Sequence, residues 1–316
     1  MVVRNFEMSR RSMIVMSAGT AIVSTVGCQS LGMKQSTQAS AFNSNFAAFP
    51  GLFEPIVGAD YIAQLNFAHA NGFRVWEDAE FAQHTAQDQE KYGQHINGLG
   101  MRMGVFVGIG DATQNTLTSG EGIASYLAKI SQAVDVAQRG DGEFISLVSG
   151  TKTGNLHLNY QKAYAVDALR KASDIAAAKG KTLLIQPLAR QSQAVFLKSI
   201  PEAYEICAAV DHPACAVLFD VNHQQAAGGN IIANIEQAKV HTGYYQIGGP
   251  SLDGSLGSVE LSYGKIVEAM RQANPDAIIG LSHFSGQNTN APTQRSKASA
   301  MKSIQTCMEL DAPMSA

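Results

Sequence analysis

The chain has 316 residues, of which 45% are hydrophobic and 16% are charged, and its formal net charge is -3. This length and apolar content suit one large domain with a substantial core. Because the charge is near neutral and no basic patch stands out, the composition excludes the surfaces typical of nucleic-acid-binding proteins and of proteins that bind anionic membranes.

The N-terminus has the organisation of an export signal. Arg10-Arg11 precedes an uncharged run, Met13–Gly27, which is rich in Ala, Val, Ile, Ser and Thr. This run is too short, and too rich in Ser and Gly, to predict a membrane-spanning helix, but it is typical of a secretory signal. The arginine pair resembles a twin-arginine signal, which exports folded proteins, and therefore predicts a periplasmic location.

The end of this signal has two interpretations. Thr25-Val26-Gly27-Cys28 resembles a lipoprotein cleavage box, which makes Cys28 a candidate lipid anchor, although such boxes usually have Leu where Thr25 stands. The alternative is ordinary cleavage near Ala39-Ser40-Ala41. Residues 29–44 are rich in Ser, Gln and Asn and are typical of a flexible tether, so we expect a signal and tether over 1–44 and one domain over 45–316.

Eight short apolar runs alternate with longer amphipathic stretches. The runs are Phe46–Phe53, Gly72–Trp76, Arg102–Ile109, Phe144–Val148, Thr182–Ile185, Ala216–Phe219, Gly243–Ile247 and Ala277–Leu281. They are nearly continuous hydrophobic segments, as expected for parallel strands that are buried on both faces. The helical stretches include Tyr61–Asn71, Gly122–Arg139, Tyr160–Lys179, Ser199–Val210, Ile231–Lys239 and Tyr263–Ala273. Gly72, Gly140 and Gly180 follow helices, where a left-handed residue is favoured.

Eight alternations of strand and helix predict a closed (β/α)8 TIM barrel. The alternative is an open doubly wound sheet, which usually has a Gly-rich phosphate-binding turn after its first strand. Pro50-Gly51-Leu52-Phe53 is not such a turn, and Gly108-Ile109-Gly110 lacks the rest of the fingerprint and is interpreted as a tight turn. We therefore expect no nucleotide cofactor.

The three cysteines of the body do not predict a full disulfide framework, since their number is odd. Cys207 and Cys215 lie in adjacent predicted elements and would be able to pair in an oxidising compartment. The alternative is that they are small buried residues, as cysteines often are.

Polar side chains follow most of the predicted strands. They are Glu77, Asp78, Ser149, Thr151, His157, Gln186, Arg190, Asp220, Asn222, His223, Gln246, Asp253, Glu260 and His283. In such barrels the active site lies at the C-terminal ends of the strands. Oxygen and imidazole groups suit Mg²⁺ or Mn²⁺, and they suit aldose–ketose chemistry, in which a base moves a proton between adjacent carbons. An aspartate at a strand end can equally be a helix N-cap, and His223 an ordinary loop residue.

Three segments at predicted strands carry distinctive motifs, namely "TLLIQPL" at Thr182–Leu188, "LFDVNHQ" at Leu218–Gln224 and "YQIGG" at Tyr245–Gly249. These segments resemble hydroxypyruvate isomerases, which have xylose isomerase-like TIM barrels. The first is similar to their "LLIEPLN", and the second is similar to their "LYDxYHMQ". Tyr245–Gly249, "YQIGG", with "VEL" at Val259–Leu261, is similar to their "HIQIAD…GEINY". The similarity is strongest over about residues 140–285.

The resemblance implies a ligand set for a divalent metal. In those enzymes a Glu, an Asp, a Gln and a second Glu bind the metal, and the two glutamates also act as acid and base. The matching positions here are Gln186, Asp220, Gln246 and Glu260. His223 matches a histidine that contacts substrate. We also expect substrate contacts from four polar residues at strand ends, namely Glu77, His157, Arg190 and His283.

This sequence departs from the family pattern at three places. Gln186 stands where the family has Glu, Asp253-Gly254 stands where it has an Arg-His pair, and Ser282-His283-Phe284 stands where it has an acidic pair. An amide keeps a carbonyl oxygen but loses a charge and cannot act as a base. We therefore expect weaker metal binding and a one-base route through Glu260, assisted by His223, His157 or His283.

Three functions remain open at this point. The first is an altered isomerase or epimerase of the aldose–ketose type, which moves a proton with the help of a metal. The second is a lyase acting on oxidised keto-sugars. The third is a catalytically weakened relative that binds carbohydrate. In each case the loss of the arginine favours an uncharged sugar or hydroxy-ketone over an acid.

The twin arginines provide a direct test of the predicted export. Replacing Arg10 and Arg11 by lysine should leave the precursor inside the cell, because this signal is recognised through its arginine pair. Fractionation followed by immunoblotting measures the periplasmic yield, and an unchanged yield would reject the prediction. If Cys28 carries the lipid, Cys28→Ser should release the protein from membranes, whereas a fully soluble parent protein would contradict lipidation.

Overall fold

The computed structural model describes residues 41–114, 116–189, 194–248, 261–281 and 296–312. In these residues, strands alternate with helices along the chain. The strands are β1 Asn45–Ala48, β2 Val75–Trp76, β3 Arg102–Met103, β4 Phe106–Ile109, β5 Phe144–Val148, β6 Thr182–Gln186, β7 Cys215–Asp220, β8 Thr242–Gln246 and β9 Ile278–Gly280. The helices are α1 Glu54–Val57, α2 Tyr61–Ala70, α3 Ala86–Gly98, α4 Thr116–Ser119, α5 Ile123–Arg139, α6 Leu158–Ala177, α7 Ile200–Val210, α8 Val221–Ala227, α9 Ile231–Ala238, α10 Tyr263–Ala273 and α11 Lys297–Asp311.

All the strand pairs are parallel, in the order β3-β2-β1-β9-β8-β7-β6-β5-β4. The strands at the two ends of this order, β3 and β4, are the two halves of the third predicted strand, Arg102–Ile109, which is interrupted at Gly104-Val105. One short segment therefore pairs with β2 on one side and with β5 on the other, and this arrangement closes the sheet. The predicted TIM barrel is confirmed, and the open doubly wound sheet is wrong.

The six helices predicted from the sequence are all present, with bounds that differ by at most two residues. The first predicted strand is shorter than expected, because β1 ends at Ala48 and the chain turns at Pro50-Gly51. The interpretation of Gly108-Ile109-Gly110 as a tight turn is wrong for its first two residues, which lie within β4. A Cβ on Gly108 would overlap the Ile145 side chain, so glycine allows β4 to pack closely against β5 and α5.

Two of the three predicted left-handed glycines are confirmed. Gly72 has φ 96° and Gly180 has φ 65°. Gly140 is different, since its φ is -82°, and the left-handed residue after α5 is Asp141, with φ 52°. Position 140 has another constraint, because a Cβ there would lie 2.5 Å from Phe81 Cε1.

The three cysteines of the barrel are buried free thiols. The Sγ atoms of Cys207 and Cys215 are 3.9 Å apart, well beyond the roughly 2.05 Å of a disulfide bond. Their interpretation as small buried residues is therefore confirmed. Within the described ranges, no helix is both long enough and apolar enough to cross a membrane.

The interior of the barrel is filled in layers. One layer is apolar and consists of Ala47, Val75, Val105, Leu184, Leu218, Tyr244 and Ile278. Since side chains alternate along a strand, the residues two positions further on face the same interior, one step nearer the C-terminal ends. Those residues include Glu77, Gln186, Asp220, Gln246 and Gly280. The alternation thus places a polar layer directly above an apolar one.

Gly280 makes room for this polar layer. A Cβ at this position would overlap Glu77 Oε2, and its next neighbours would be Glu77 Cδ at 2.9 Å and Tyr244 Cε1 at 3.2 Å. The missing side chain on β9 is therefore what allows the Glu77 carboxylate to occupy the barrel interior.

We expect Gly280→Ala to lower the free energy of unfolding by about 2–3 kcal/mol, because overpacking a core typically costs about 1–3 kcal/mol and the carboxylate would also lose hydrogen bonds. Chemical denaturation measures the change. The matched control is Gly264→Ala in α10, where a Cβ would meet nothing within 4 Å. Alanine should leave stability there unchanged or raise it by up to about 1 kcal/mol. Equal effects of the two substitutions would contradict this account of Gly280.

Candidate active site

Glu77, which directly follows β2, is fully buried inside the barrel. Its Oε2 accepts a hydrogen bond from the Tyr244 hydroxyl at 2.8 Å, and its Oε1 accepts one from Gln246 Nε2 at 2.7 Å. Burial and the neighbouring Glu77 charge hold the pKa of Tyr244 well above its ordinary value, so this hydroxyl remains a donor at neutral pH. A buried carboxylate requires such donors, and both come from β8.

These contacts fix the direction of the Gln246 amide. Its nitrogen is held by Glu77, so its oxygen faces the opposite way, toward β6 and β7. A reversed amide would place its oxygen against the carboxylate of Glu77, with no proton between them. Gln246 Oε1 is thus presented as an acceptor.

Gln186, at the C-terminal end of β6, connects Gln246 with Asp220 on β7. Its Nε2 is 3.4 Å from Gln246 Oε1 and 3.3 Å from Asp220 Oδ2. Both distances are long for N–H···O hydrogen bonds. The four side chains still form one continuous chain of contacts, which runs from Glu77 through Gln246 and Gln186 to Asp220.

The two carboxylate oxygens of Asp220 have different partners. Oδ1 accepts hydrogen bonds from the backbone N–H groups of Asn222, at 2.8 Å, and His223, at 3.0 Å, and so caps the N-terminus of α8. Oδ2 faces Gln186. The helix-cap interpretation of Asp220 is therefore confirmed for Oδ1, and a site role for Oδ2 stays a prediction.

Asn222, two residues after Asp220 in the first turn of α8, was not given a role by the sequence analysis. Its side-chain Nδ2 is buried and has no hydrogen-bond partner within the part of the chain that is described. Leaving such a donor unsatisfied costs about 1–3 kcal/mol. One signal for it existed in the sequence, because an asparagine stands here where the resembling enzymes have an aromatic residue in "LYDxYHMQ".

The other predicted site residues have different positions. His223 is 7% exposed, in the first turn of α8 beside Asp220. His157 is exposed and caps α6, since its Nδ1 accepts from the backbone N–H of Asn159 at 3.3 Å. Arg190, Glu260 and His283 lie outside the described residues. Their roles stay predictions.

Asp78, next to Glu77, contacts a different set of residues from the interior one. It accepts hydrogen bonds from the Tyr61 hydroxyl at 3.0 Å and from His84 Nε2 at 2.9 Å. Tyr61 in turn stacks on Tyr92, with ring centroids 3.9 Å apart. This cluster packs α2 and α3 against the end of β2 and shares no contact with Gln186 or Asp220.

The arrangement does not present an all-oxygen cavity for a divalent cation. Of the four positions that the resemblance assigns to metal, Gln186, Asp220 and Gln246 are brought together, but the atom that Gln186 directs at the other two is nitrogen. Within the described ranges, no three His, Cys, Asp or Glu side chains form a group able to hold a metal. These residues as arranged do not fit the expected Mg²⁺ or Mn²⁺.

Comparison with known proteins agrees with the fold. The sequence profile of the xylose isomerase-like TIM barrel family matches residues 65–307. No curated protein matches the chain.

Solved structures with the same fold include two sugar epimerases and one protein with a bound zinc atom. The chain is similar to a D-allulose 3-epimerase from Methylomonas sp., with 17% identity and a TM-score of 0.67 over 85% of this chain and 99% of that one. It is similar to the 3-keto-D-glucoside 4-epimerase YcjR from E. coli, with 15% identity and a TM-score of 0.64 over 84% and 98%. It is also similar to an IolI protein with a bound zinc atom, with 15% identity and a TM-score of 0.60 over 84% and 96%.

Two buried tyrosines test the contacts of Glu77. We expect Tyr244→Phe to lower the free energy of unfolding by about 1.5–3 kcal/mol, because it removes a hydrogen bond to a buried charged group. The control is Tyr126→Phe in α5, since the Tyr126 hydroxyl is buried without a hydrogen-bond partner among the described residues. That change should stay within about 0.5 kcal/mol or be stabilising. Urea denaturation of both variants is the measurement, and a neutral Tyr244→Phe would show that its hydroxyl does not stabilise Glu77.

Proposed function

Because the chain belongs to the xylose isomerase-like TIM barrel family, we propose that it is a sugar isomerase or epimerase acting on an uncharged sugar or hydroxy-ketone. One observation carries the proposal: Glu77, Gln186, Asp220 and Gln246, from four strands, form a contiguous polar layer inside the barrel. This layer lies at the end where TIM-barrel enzymes have their active sites.

The proposed reaction needs a base beside a C–H bond and a donor that polarises the neighbouring carbonyl. Gln186 cannot be the base, because an amide does not accept a proton at neutral pH. Both oxygens of Glu77 accept hydrogen bonds, and one oxygen of Asp220 caps α8. We therefore assign the base to Glu260, on the strength of the resemblance.

In this scheme Glu260 takes the proton from the carbon next to the carbonyl, and an enediolate forms. In an isomerisation this proton then returns to the former carbonyl carbon, and the hydroxyl proton of the neighbouring carbon moves to the former carbonyl oxygen, so that a new carbonyl forms at the neighbouring carbon. In an epimerisation with one base, the enediolate turns over and the proton returns to the original carbon on its other face. The Asn222 amide, buried without a partner among the described residues, is the proposed donor to the oxygen on which charge develops.

A second candidate function is carbohydrate binding without turnover. The position of the Gln186 amide favours it, because this position supplies a hydrogen-bond donor where a second base would be needed. In this alternative the polar layer recognises the hydroxyl groups of a sugar and no proton leaves carbon.

We further propose that the protein acts after export, on the basis of Arg10-Arg11 and the apolar run that follows. An uncharged substrate suits that location, since phosphorylated intermediates are uncommon outside the cytoplasm. It also suits Asp253, which stands where the resembling enzymes carry an anion-binding arginine.

The test is proton exchange from carbon. Purified protein is incubated in D₂O with a panel of free ketoses and 3-keto-glycosides, and the sugars are followed by NMR. We expect deuterium at the carbon next to the carbonyl together with a second sugar. Glu260→Gln should lower the rate by about 10²–10⁴-fold, the usual contribution of a general base. Glu90→Gln, an exposed position on α3, is the matched control and should leave the rate unchanged.

Each alternative function gives a different experimental result. A new double bond with release of a leaving group would show a lyase acting on a keto-sugar. Calorimetric binding of a sugar without deuterium incorporation would show the carbohydrate-binding function. A rate that Glu260→Gln leaves unchanged would reject the assigned base.

A further inference from the structure

We propose that the side-chain amide of Gln186 takes the place of the divalent cation in this site, so that the site assembles and binds its ligand without metal. The inference deepens the proposed function, on which it rests for the nature of the ligand. The inference depends on Gln186, Asp220 and Gln246, and on the groups that orient their side chains.

The two acceptors around Gln186 are oriented by other parts of the protein. Gln246 Oε1 points toward Gln186 because Glu77 holds the amide nitrogen at 2.7 Å. Asp220 Oδ2 points toward Gln186 because Oδ1 is held by the backbone N–H groups of Asn222 and His223. Neither direction therefore depends on Gln186.

Two oxygens that face one point need a positively polarised group between them. A cation can supply it, and so can an amide nitrogen with two protons. Gln186 Nε2 has two N–H bonds and faces both acceptors, at the long distances of 3.3 Å and 3.4 Å. One amide nitrogen can thus direct one proton at each of the two oxygens.

The amide and a cation exclude each other at this point. For Gln186 to coordinate a metal, its amide would have to turn over and present Oε1. Without a cation that orientation would bring three oxygens together, which is unfavourable inside a barrel. With a cation the set would contain two amide oxygens and a single carboxylate from the described residues, and affinity for such ions falls as the ligand charge falls.

The charge of the side chain at position 186 therefore determines whether an amide nitrogen or a cation lies between the two acceptors. A glutamate has no N–H group and would add a negative charge beside Asp220 Oδ2, and the repulsion between them would call for a cation. A glutamine removes the charge and supplies the donor in the same step. A site assembled in this way recognises a ligand through hydrogen bonds, which suits an uncharged polyol.

The experiment compares Mn²⁺ binding and thermal stability in the full chain. By calorimetry, Gln186→Glu should bind Mn²⁺ at least about tenfold more tightly than the parent protein, since a close charge in a partly buried site readily supplies the 1.4 kcal/mol required. The melting temperature of the parent protein should change with neither EDTA nor Mn²⁺, whereas Mn²⁺ should raise that of Gln186→Glu. Gln132→Glu, an exposed position on α5, controls for the added charge and should behave like the parent protein.

Gln186→Ala gives an independent readout if the glutamate variant folds poorly. It removes the donor and leaves space between the two acceptors, so its melting temperature should fall and Mn²⁺ should restore part of the loss. A parent protein that binds Mn²⁺ as tightly as Gln186→Glu, or that loses stability in EDTA, would overturn the inference. Loss of the proposed function is distinguishable from this result, because a protein without deuterium exchange can still be insensitive to EDTA and Mn²⁺.

Discussion

The buried carboxylate of Glu77 is the constraint on which the rest of the site depends. A charged group in the interior of a barrel is costly unless donors surround it, and here they come from Tyr244 and Gln246 on one neighbouring strand in the closed sheet. The backbone has adapted to it as well, since Gly280 leaves the space that the carboxylate fills. A glycine on β9, two donors on β8 and an acid after β2 thus form one interdependent unit. This unit lies directly above the apolar layer of the barrel interior.

Hydrogen bonds also fix the orientation of the neighbouring side chains in the polar layer, Gln246 and Asp220. Glu77 determines which atom of Gln246 faces Gln186, and the backbone at the start of α8 determines which oxygen of Asp220 does so. Reversal of the Gln246 amide would break its hydrogen bond to the Glu77 carboxylate. The two oxygens of Asp220 are equivalent, and while backbone N–H groups bind one of them, the other faces Gln186. The site is therefore preorganised by hydrogen bonds, and preorganised donors and acceptors are what TIM-barrel enzymes use to stabilise developing charge.

Much of the fold was readable from the sequence, because buried parallel strands such as Thr182–Gln186 are continuous apolar runs that end in a polar residue. Helix α3 was missed, since its sequence AQDQEKYGQHING is mostly polar and buries only Gln89, Gly93 and Ile96. The interruption of the third strand was also missed, because it depends on pairing with two different neighbours. The positions of Asp220 and Gln246 at strand ends could be predicted, and both residues do end strands. The contacts of Glu77 with Tyr244 and Gln246 could not, because these residues are 167 and 169 positions away and only barrel closure brings them together.

In the arrangement that we propose, the residue at position 186 determines the physical basis of the site. Glu77 and the N-terminus of α8 orient the two acceptors that face Gln186. An amide and a metal ion are then alternative ways to place a positively polarised group between Gln246 Oε1 and Asp220 Oδ2. A cation does so with charge and in turn polarises a substrate carbonyl. An amide does so with two protons and leaves polarisation to other donors, among which Asn222 is buried and without a partner in the described residues.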